Sequence, residues 1–534
     1  MKKIKFLTND TKPVFPSAEN EQLEKLAESD VLRIYRENIK EIAKSPFCPR
    51  YHLVAPAGYL HDPNGLCFWR GKWHLFYQHV YGEDSAEGLS GSSICWGHAV
   101  SDDLIRWKDL PDAIYPGPDI SCWSGATLVE EDRVIAAYYG LYSGIVVAVS
   151  SDPLLLNWEK YGTVIPERDE KGNPAKFPIY DPCIFKEGKN YYILSGGAEY
   201  DEKTKHNHRQ TYLLRSEDLR NWEYRHPFIE NDCYGGVGDD GSCPYFVDIG
   251  EKGRERKLYV HFSHISGSAY AVGDFDAGRE KFTVLGGGKF SCGHWSGGGL
   301  HAPSCSPDGK GGAVVIFNMN APAEGAFPVM SLPQTMKLAG PGNNEIYLDV
   351  AEGVRSLRGR HVSSDPRIIR AGQTFSPDGF SGNCAEIRLE AKIPYQRALT
   401  LDVLRTPDGE EFARITVFRN GGITNPDLKD PEVLESGQYT VVTADASRVG
   451  GKNSPSLSVR PPEISLVPVK DGESVVLDVF IDKCVLEVFV NGKRSLIQSV
   501  YPSRDARGVC LSSIRGDAEI LSLDMWEMKS YGEE

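Results

Sequence analysis

The spacing of hydrophobic positions divides the chain into a short helical segment and a long series of strands. Residues 18–45 carry apolar side chains at roughly helical spacing among many charges, which predicts a pair of amphipathic helices. From about residue 50 to 338, short apolar runs are separated by Gly, Pro and Asn, as in strands joined by turns. Similar runs continue at 474–482 and 485–490, followed by an Asn-Gly turn. The pattern therefore predicts an all-β chain with a short N-terminal helical segment.

An internal repeat refines this prediction. The stretch 101–107 recurs at 151–158 and at 216–222, and a weaker copy begins at Gly273 and ends at Phe282. The anchoring aromatic residues are 51, 64 and 60 positions apart, a period suited to one four-stranded propeller blade with its loops. Counting the stretch 287–332 as a further unit gives five blades. A β-sandwich with coincidental turns is the alternative interpretation.

These patterns define four predicted regions. Residues 1–45 form an N-terminal helical extension, and residues 46–338 form a five-bladed β-propeller. Residues 339–358 are a connector, and residues 359–534 are a C-terminal β-sandwich.

Composition narrows the classes of partner and the compartment. The net charge of -15 argues against nucleic acid and anionic membranes, which require a basic face. Twelve cysteines without a CxxC pair predict reduced thiols, and the sequence contains no metal or nucleotide motif. The N-terminal residues lack an apolar run of signal-peptide type. We therefore expect a cytoplasmic protein with no cofactor and no metal, and its oligomeric state stays open between monomer and homo-oligomer.

The stretch His61-Asp62-Pro63-Asn64-Gly65 places a carboxylate at a turn directly before a strand-like run. Alone it would be an ordinary turn sequence. It continues, however, into 71–78 and 95–107, and together these segments resemble the opening blade of glycoside hydrolase family 32, the invertases and fructanases. The segment 485–492 resembles the C-terminal domain of the same family.

The resemblance implies a retaining glycosidase, which uses two carboxylates about 5 to 5.5 Å apart. Asp62 matches the family's nucleophile. Asp181, in Tyr180-Asp181-Pro182, matches the aspartate that stabilises the transition state, although Tyr180 stands in place of the family's arginine. The family's third acid, the glutamate of a Glu-Cys-Pro motif, is the general acid and base.

The third motif departs from the family, because Ser242 precedes Cys243-Pro244 where the glutamate is expected. A serine hydroxyl is too weak an acid for this task. Asp240 lies two residues earlier, on the same face of an extended strand, and is the provisional substitute. Asp239 is the next candidate and Glu199 an outside one, while a plain turn at 239–241 is an equal alternative.

The resemblance also implies substrate-binding residues, and the neighbouring sequence adds others. They are Gln78, Trp123, Ser124, Asn64, His61, Tyr180 and Asp239. His61 replaces the family's usual asparagine and is interpreted either as a hydrogen-bond donor to substrate or as a packed side chain. In the fifth blade, either Trp295 or His301 could reach the central funnel.

The sequence therefore predicts hydrolysis of a terminal β-fructofuranosyl unit, or a closely related furanosyl unit, from a small fructose-containing saccharide. Two alternatives remain. One is a fructosyltransferase or a difructose-anhydride enzyme, and the other is a catalytically inactive saccharide-binding protein.

Overall fold

A computed structural model describes residues 2–81, 93–203, 205–235, 239–264, 267–293, 299–320, 327–340, 342–419, 439–450, 463–470 and 472–531. Its helices are α1 (Glu19–Ala27), α2 (Asp30–Ile42) and α3 (Glu352–Arg355). The remaining regular structure is strand, so the all-β prediction is confirmed. All twelve cysteines are free. In the described part of the chain, no helix has the length and apolar character required to cross a membrane.

In the described residues, five antiparallel sheets, each built on four main strands, follow one another between residues 59 and 350, and the fourth is part of a twelve-stranded sheet. The first contains β1 (Tyr59–Trp69), β2 (Lys72–Tyr81), β3 (Ser93–Ser101) and β4 (Lys108–Ile114), and the second contains β5 (Cys122–Val129), β6 (Val134–Gly140), β7 (Gly144–Ser150) and β8 (Glu159–Pro166). The third contains β9 (Cys183–Glu187), β10 (Asn190–Ser195), β13 (Tyr212–Ser216) and β14 (Glu223–Pro227), with the hairpin β11 (Ala198–Asp201) and β12 (His206–Arg209) inserted. The fourth contains β16 (Ser242–Ile249), β17 (Arg256–Ser263), β18 (Gly267–Asp276) and β19 (Lys281–Cys292), and β15 (Ile229–Glu230) pairs with β19. The fifth contains β20 (Leu300–Pro307), β21 (Ala313–Met319), β23 (Gln334–Ala339) and β24 (Glu345–Val350), and β22 (Val329–Met330) pairs with β21.

The first strands of the five sheets contact one another in a closed ring. β1 contacts β5 and β20, β5 contacts β9, β9 contacts β16, and β16 contacts β20. Residues far apart in sequence therefore meet at the centre of this ring.

The sequence repeat marks the turn between the third and fourth strands of the first three sheets. Asp103, Asp152 and Asp218 each accept backbone N–H groups of the residues that follow. The following leucines, Leu104, Leu155 and Leu219, all have a positive φ, of 69°, 52° and 65°. The carboxylate stabilises the tight turn by satisfying its backbone donors, which explains why the same residues recur.

Two further sheets follow the ring. One contains β25 (Arg358–Ser364), β26 (Arg367–Ile369), β28 (Cys384–Lys392), β33 (Val475–Asp482), β34 (Val485–Val490), β35 (Arg494–Ser499) and β37 (Ala518–Met528). The other contains β27 (Thr374–Phe375), β29 (Ala398–Arg405), β30 (Phe412–Arg419), β31 (Tyr439–Arg448), β32 (Glu463–Pro468) and β36 (Gly508–Ile514). Apolar residues of both sheets form one buried core, and β35 also pairs with β19 of the fourth sheet.

A buried ionic cluster joins the first five sheets to the C-terminal pair. His52 Nδ1 lies 2.8 Å from Asp482 Oδ2, and His52 Nε2 lies 3.2 Å from Glu487 Oε1. All three side chains are fully buried. Burial alone would lower the pKa of His52, but its hydrogen bonds to the two carboxylates, together with their charges, raise that pKa to about 9. The imidazolium is therefore the counter-charge of two desolvated carboxylates.

This cluster should make stability depend on alkaline pH. The pKa of His52 is about 9 in the folded chain and 6.5 as the ordinary value, so its contribution is complete below pH 6.5 and is lost as pH rises through 9. His52→Gln should lower stability by roughly 3–5 kcal/mol near neutral pH, because it leaves two buried carboxylates without a cation. The midpoint of thermal unfolding between pH 6 and 10 measures both effects.

His361→Gln is the matched control. His361 pairs with Asp524 at 2.9 Å, but the histidine side chain is 46% exposed, so its ion pair is screened by water. Its midpoint should stay close to that of the wild type. A His52→Gln midpoint equal to that of the control would contradict the assigned role.

Candidate active site

A cavity of about 280 Å³ opens where the first strands meet. Every one of the five sheets supplies side chains to its wall or lies directly beside it. The lining residues are His61, Asp62, Gln78, Trp123, Ser124, Asp181, Ser242, Cys243, Phe262, His264, His301, Ala302 and Asn320.

Asp62 is placed by irregular pairing within β1. The register of β1 with β2 shifts between Leu60 and Pro63, and again between Asn64 and Cys67. Gly65, between the two shifts, has a φ of 50°, and a Cβ there would lie 2.6 Å from Cγ2 of Thr127. The strand can therefore bend and approach its neighbour closely only with glycine at this position.

The Asp62 carboxylate is buried and surrounded by donors. Ser124 Oγ donates to Oδ2 at 2.6 Å, and Gln78 Nε2 donates to the same oxygen at 3.4 Å. His301 Nδ1 lies 2.9 Å from Oδ1, and His61 Nδ1 lies 2.8 Å from it. Burial alone would raise the pKa of Asp62, but the charges and hydrogen bonds of the two histidines hold it well below its usual range. Asp62 is therefore ionised and oriented.

Asp181 has the opposite electrostatic behaviour. It adopts a φ of 43°, and its Oδ2 accepts from Cys243 N at 3.1 Å and from Cys243 Sγ at 3.4 Å. Burial and the negative charge of Asp62 raise the pKa of Asp181 to about 6. Two carboxylates of one cavity thus have their pKa values pushed apart, a property typical of active sites.

Where the general acid is expected, the cavity wall contains Ser242 and His264. Ser242 lines the cavity, whereas Asp240 is not among the lining residues. Asp240 Oδ2 instead contacts Nδ1 of His264 at 2.5 Å, and His264 lines the cavity. Burial would raise the pKa of Asp240, but the hydrogen bond with His264 and the charge of that histidine lower it.

Other predicted residues lie behind the wall. Tyr180 donates its hydroxyl to the Asp240 carbonyl at 3.0 Å, and Asn64 Oδ1 accepts from Gly125 N at 3.2 Å. Asp239 is 3% exposed and interacts electrostatically with the Arg209 guanidinium. Each of the three is outside the set of lining residues.

The remaining candidates divide in the same way. Glu199 is exposed on β11, away from the lining set, and His301 reaches the cavity as one of the two expected alternatives. Trp295 lies outside the described residues.

His264 is a cavity residue that sequence reasoning missed, as are Phe262 and Asn320. Ser242 pairs with Phe262 in the antiparallel register of β16 and β17. Stepping two residues outward along both strands from this pair leads to Asp240 and His264. Asp240 and His264 lie at equivalent positions next to the two strands of one hairpin. This could be recognised only once the register was known.

Within the described residues, one group could supply metal ligands. Possible ligand atoms of His61, Asp62 and His301 lie within 4.8 Å of one another. Both histidines, however, direct a ring nitrogen at Asp62 Oδ1. We assign no metal to this group.

Two family models match most of the chain. The glycosyl hydrolases family 32 N-terminal domain matches residues 52–339, and the family 32 C-terminal domain matches residues 353–527. A levanase of Bacillus subtilis (strain 168) is 26% identical over 526 residues, which cover 90% of this chain and 70% of the levanase. A sucrose-6-phosphate hydrolase of Escherichia coli is 23% identical over 516 residues, which cover 90% of this chain and 95% of that enzyme.

A solved structure shares the fold. The crystal structure of fructan 1-exohydrolase IIa from Cichorium intybus superimposes with a TM-score of 0.72 at 20% identity, covering 91% of this chain and 98% of that one.

The bend of β1 at Gly65 can be tested by substitution. Gly65→Ala should lower the free energy of unfolding by roughly 2–5 kcal/mol. It combines strain of about 1–2 kcal/mol from a left-handed backbone with overpacking against Thr127. Gly71→Ala is the matched control, since Gly71 has a φ of 83° but nothing within 4 Å of its added Cβ. Thermal unfolding should show the larger loss for Gly65→Ala, and equal losses would contradict the close approach.

Proposed function

The chain belongs to glycosyl hydrolase family 32, and from this membership and the geometry of its cavity we infer that it hydrolyses the bond to a terminal β-fructofuranosyl, or closely related furanosyl, unit of a small saccharide. The family makes the protein a glycosidase that acts on O-glycosyl bonds. Relatives whose names refer to fructans and sucrose derivatives support the fructosyl unit as its substrate group.

The observation that carries the proposal is the ionised, desolvated carboxylate of Asp62 beside Asp181 in one cavity. A retaining glycosidase needs a nucleophile that is ionised and aimed at the anomeric carbon. Two buried polar atoms of the cavity wall, Gln78 Oε1 and Trp123 Nε1, have no hydrogen-bond partner within the described structure. Sugar hydroxyls would satisfy such atoms, because buried polar groups are otherwise nearly always paired.

We assign the following roles. Asp62 attacks the anomeric carbon and forms a fructosyl-enzyme, while Asp181 stabilises the positive charge that develops on the sugar ring. The acid and base side comprises Asp240 with its partner His264. Gln78, Trp123, Ser124 and His61 bind the sugar directly.

Asn64, Tyr180 and Asp239 were predicted as binding residues as well. That prediction stands untested, and their positions behind the cavity wall favour a supporting role.

The arrangement of the sheets supports a proposal for the architecture. We propose that the five sheets are blades of a propeller, because their first strands form a closed ring. The predicted boundary at 338 would cut off β24 (Glu345–Val350), the last strand of the fifth sheet, so the proposed propeller extends from 46 to 350. The helical extension at 1–45, a connector shortened from the predicted 339–358 to 351–358, and a β-sandwich at 359–534 complete the proposed domains, with the shared core of the two last sheets supporting the sandwich. A cytoplasmic location, the absence of cofactors and the oligomeric state stay predictions.

Asp62→Asn should abolish fructose release, with a loss of at least about 10⁴-fold in kcat, since it removes the nucleophile while keeping its shape. Asp102→Asn, the same change at an exposed acid of β3 and β4's turn, is the control and should retain full activity. Chromatography of products from sucrose and 1-kestose, with and without added acceptor sugar, measures hydrolysis and transfer separately. Binding by calorimetry without any product from the wild type would identify a saccharide-binding protein instead.

The raised pKa of Asp181, about 6, sets the acid limb of the pH profile. Stabilisation of positive charge requires the carboxylate form, so kcat/KM should fall about tenfold per pH unit as pH drops below that value. Asp181→Asn should lower kcat/KM roughly 10²- to 10³-fold and remove this limb. A wild-type profile that stays flat through pH 5 would argue against Asp181 in this role.

A further inference from the structure

We propose that His264, oriented by Asp240, is the general acid and base of this cavity, with Asp240 as a positioning residue. The inference rests on the proposed glycosidase function. It assigns the general acid and base, the role that in the family belongs to a glutamate at the position of Ser242. It replaces Asp240 as the residue that meets the leaving group.

The placement of His264 carries the proposal. It lines the cavity together with Asp62 and Asp181, whereas Asp240 does not. Its ring is held by Phe262 at 5.3 Å and by His301 at 5.4 Å between ring centroids. Because His301 also contacts Asp62, the two histidines link the nucleophile side of the cavity to the acid side.

Asp240 occupies one of the two nitrogens of the His264 ring. Its Oδ2 lies 2.5 Å from His264 Nδ1, so the Nδ1 proton is held by the carboxylate. The exchangeable proton is then the one on Nε2. A carboxylate that orients an imidazole in this way also stabilises the imidazolium form.

Asp240 is itself positioned by residues that depart from the family pattern. Tyr180, in place of an arginine, donates its hydroxyl to the Asp240 carbonyl at 3.0 Å. Gly241 follows with a φ of 60°, and a Cβ there would lie 2.7 Å from the Gly197 carbonyl oxygen. The hydroxyl and the glycine together define the backbone path that brings the Asp240 side chain to His264.

The charges around His264 favour its protonated form. The hydrogen bond with Asp240 raises its pKa above the ordinary value, burial opposes this, and the charges of Asp240, Asp62 and Asp181 raise it further. The histidine that faces His264 is His301, which is also titratable. An imidazolium near neutral pH is an efficient proton donor to an alkoxide.

The proton and electron balance closes without another reactant. As Asp62 bonds to the anomeric carbon, the electron pair of the glycosidic C–O bond moves to the oxygen, which takes the Nε2 proton of His264 and leaves as an alcohol. Neutral His264 then removes a proton from water, whose oxygen attacks the anomeric carbon and releases the Asp62 carboxylate. His264 is again protonated at the end of the cycle.

Two substrates with the same sugar test the assignment. Ethyl β-D-fructofuranoside needs a proton on its leaving group, whereas the nitrophenolate of 4-nitrophenyl β-D-fructofuranoside leaves without one. His264→Gln should lower kcat/KM about 10²- to 10⁴-fold for the ethyl substrate and little for the nitrophenyl substrate, because kcat/KM reports the steps up to formation of the fructosyl-enzyme and not its hydrolysis. His226→Gln, a histidine of β14 outside the cavity wall, is the control.

The pH profile of kcat/KM distinguishes a positioning role for Asp240 from a structural one. Wild type should lose activity on the ethyl substrate as pH rises through the pKa of His264. Asp240→Asn should move this alkaline limb to lower pH, because the imidazolium loses its carboxylate, and His264→Gln should remove it.

The outcomes separate the two proposals. If the wild type is active and His264→Gln keeps both the wild-type rate and the alkaline limb, the assignment of His264 is overturned. The glycosidase function is then left intact. A wild type inactive on both fructosides would overturn both. Equal losses of kcat/KM on the two substrates in His264→Gln would point to misfolding or lost binding, and would also reject His264 as the proton donor.

Discussion

The buried carboxylate of Asp62 imposes the requirement that most of the site meets. At 6% exposure it has lost its water, and an ionised carboxylate in that state is stable only when protein donors replace the water. These donors come from β2, β5 and β20, which belong to three different sheets. The closed ring of first strands is what brings them within reach. The ionisation of Asp62 therefore depends on the geometry of the ring.

Two departures from the family motifs are physically connected. Tyr180 stands where an arginine is expected and Ser242 where the acid is expected, and the sequence presents them as separate losses. In the structure, the Tyr180 hydroxyl holds the backbone of Asp240, and Asp240 holds His264. Hydrogen bonds therefore connect Tyr180, through Asp240, to His264, which lines the cavity together with Ser242. This connection favours replacement of the general acid by another residue over loss of the general acid.

The sequence predicted features that depend on local patterns and missed those that depend on register. Strand content followed from periodicity, and the repeated turns followed from an aspartate that caps its own backbone, as at Asp103 and Asp218. Asp62, Gln78 and Ser124 were identified because they lie inside contiguous motifs. His264 lies in no motif, and its position opposite Asp240 depends on the pairing of β16 with β17. Likewise, nothing local indicated that Asp240 would turn away from the cavity wall, since that depends on a left-handed glycine and a distant hydroxyl.

A histidine with an aspartate can replace a glutamic acid here without changing the electrostatics of the cavity. A protonated glutamic acid is neutral before it donates its proton and carries one negative charge afterwards. The pair of protonated His264 and ionised Asp240 has the same net charge at both stages. The negative charges of Asp62 and Asp181 raise the pKa of His264, as they would raise that of a glutamic acid. The environment that keeps one acid protonated therefore keeps the other protonated too, and the substitution preserves the charge that the cavity must accommodate at each step.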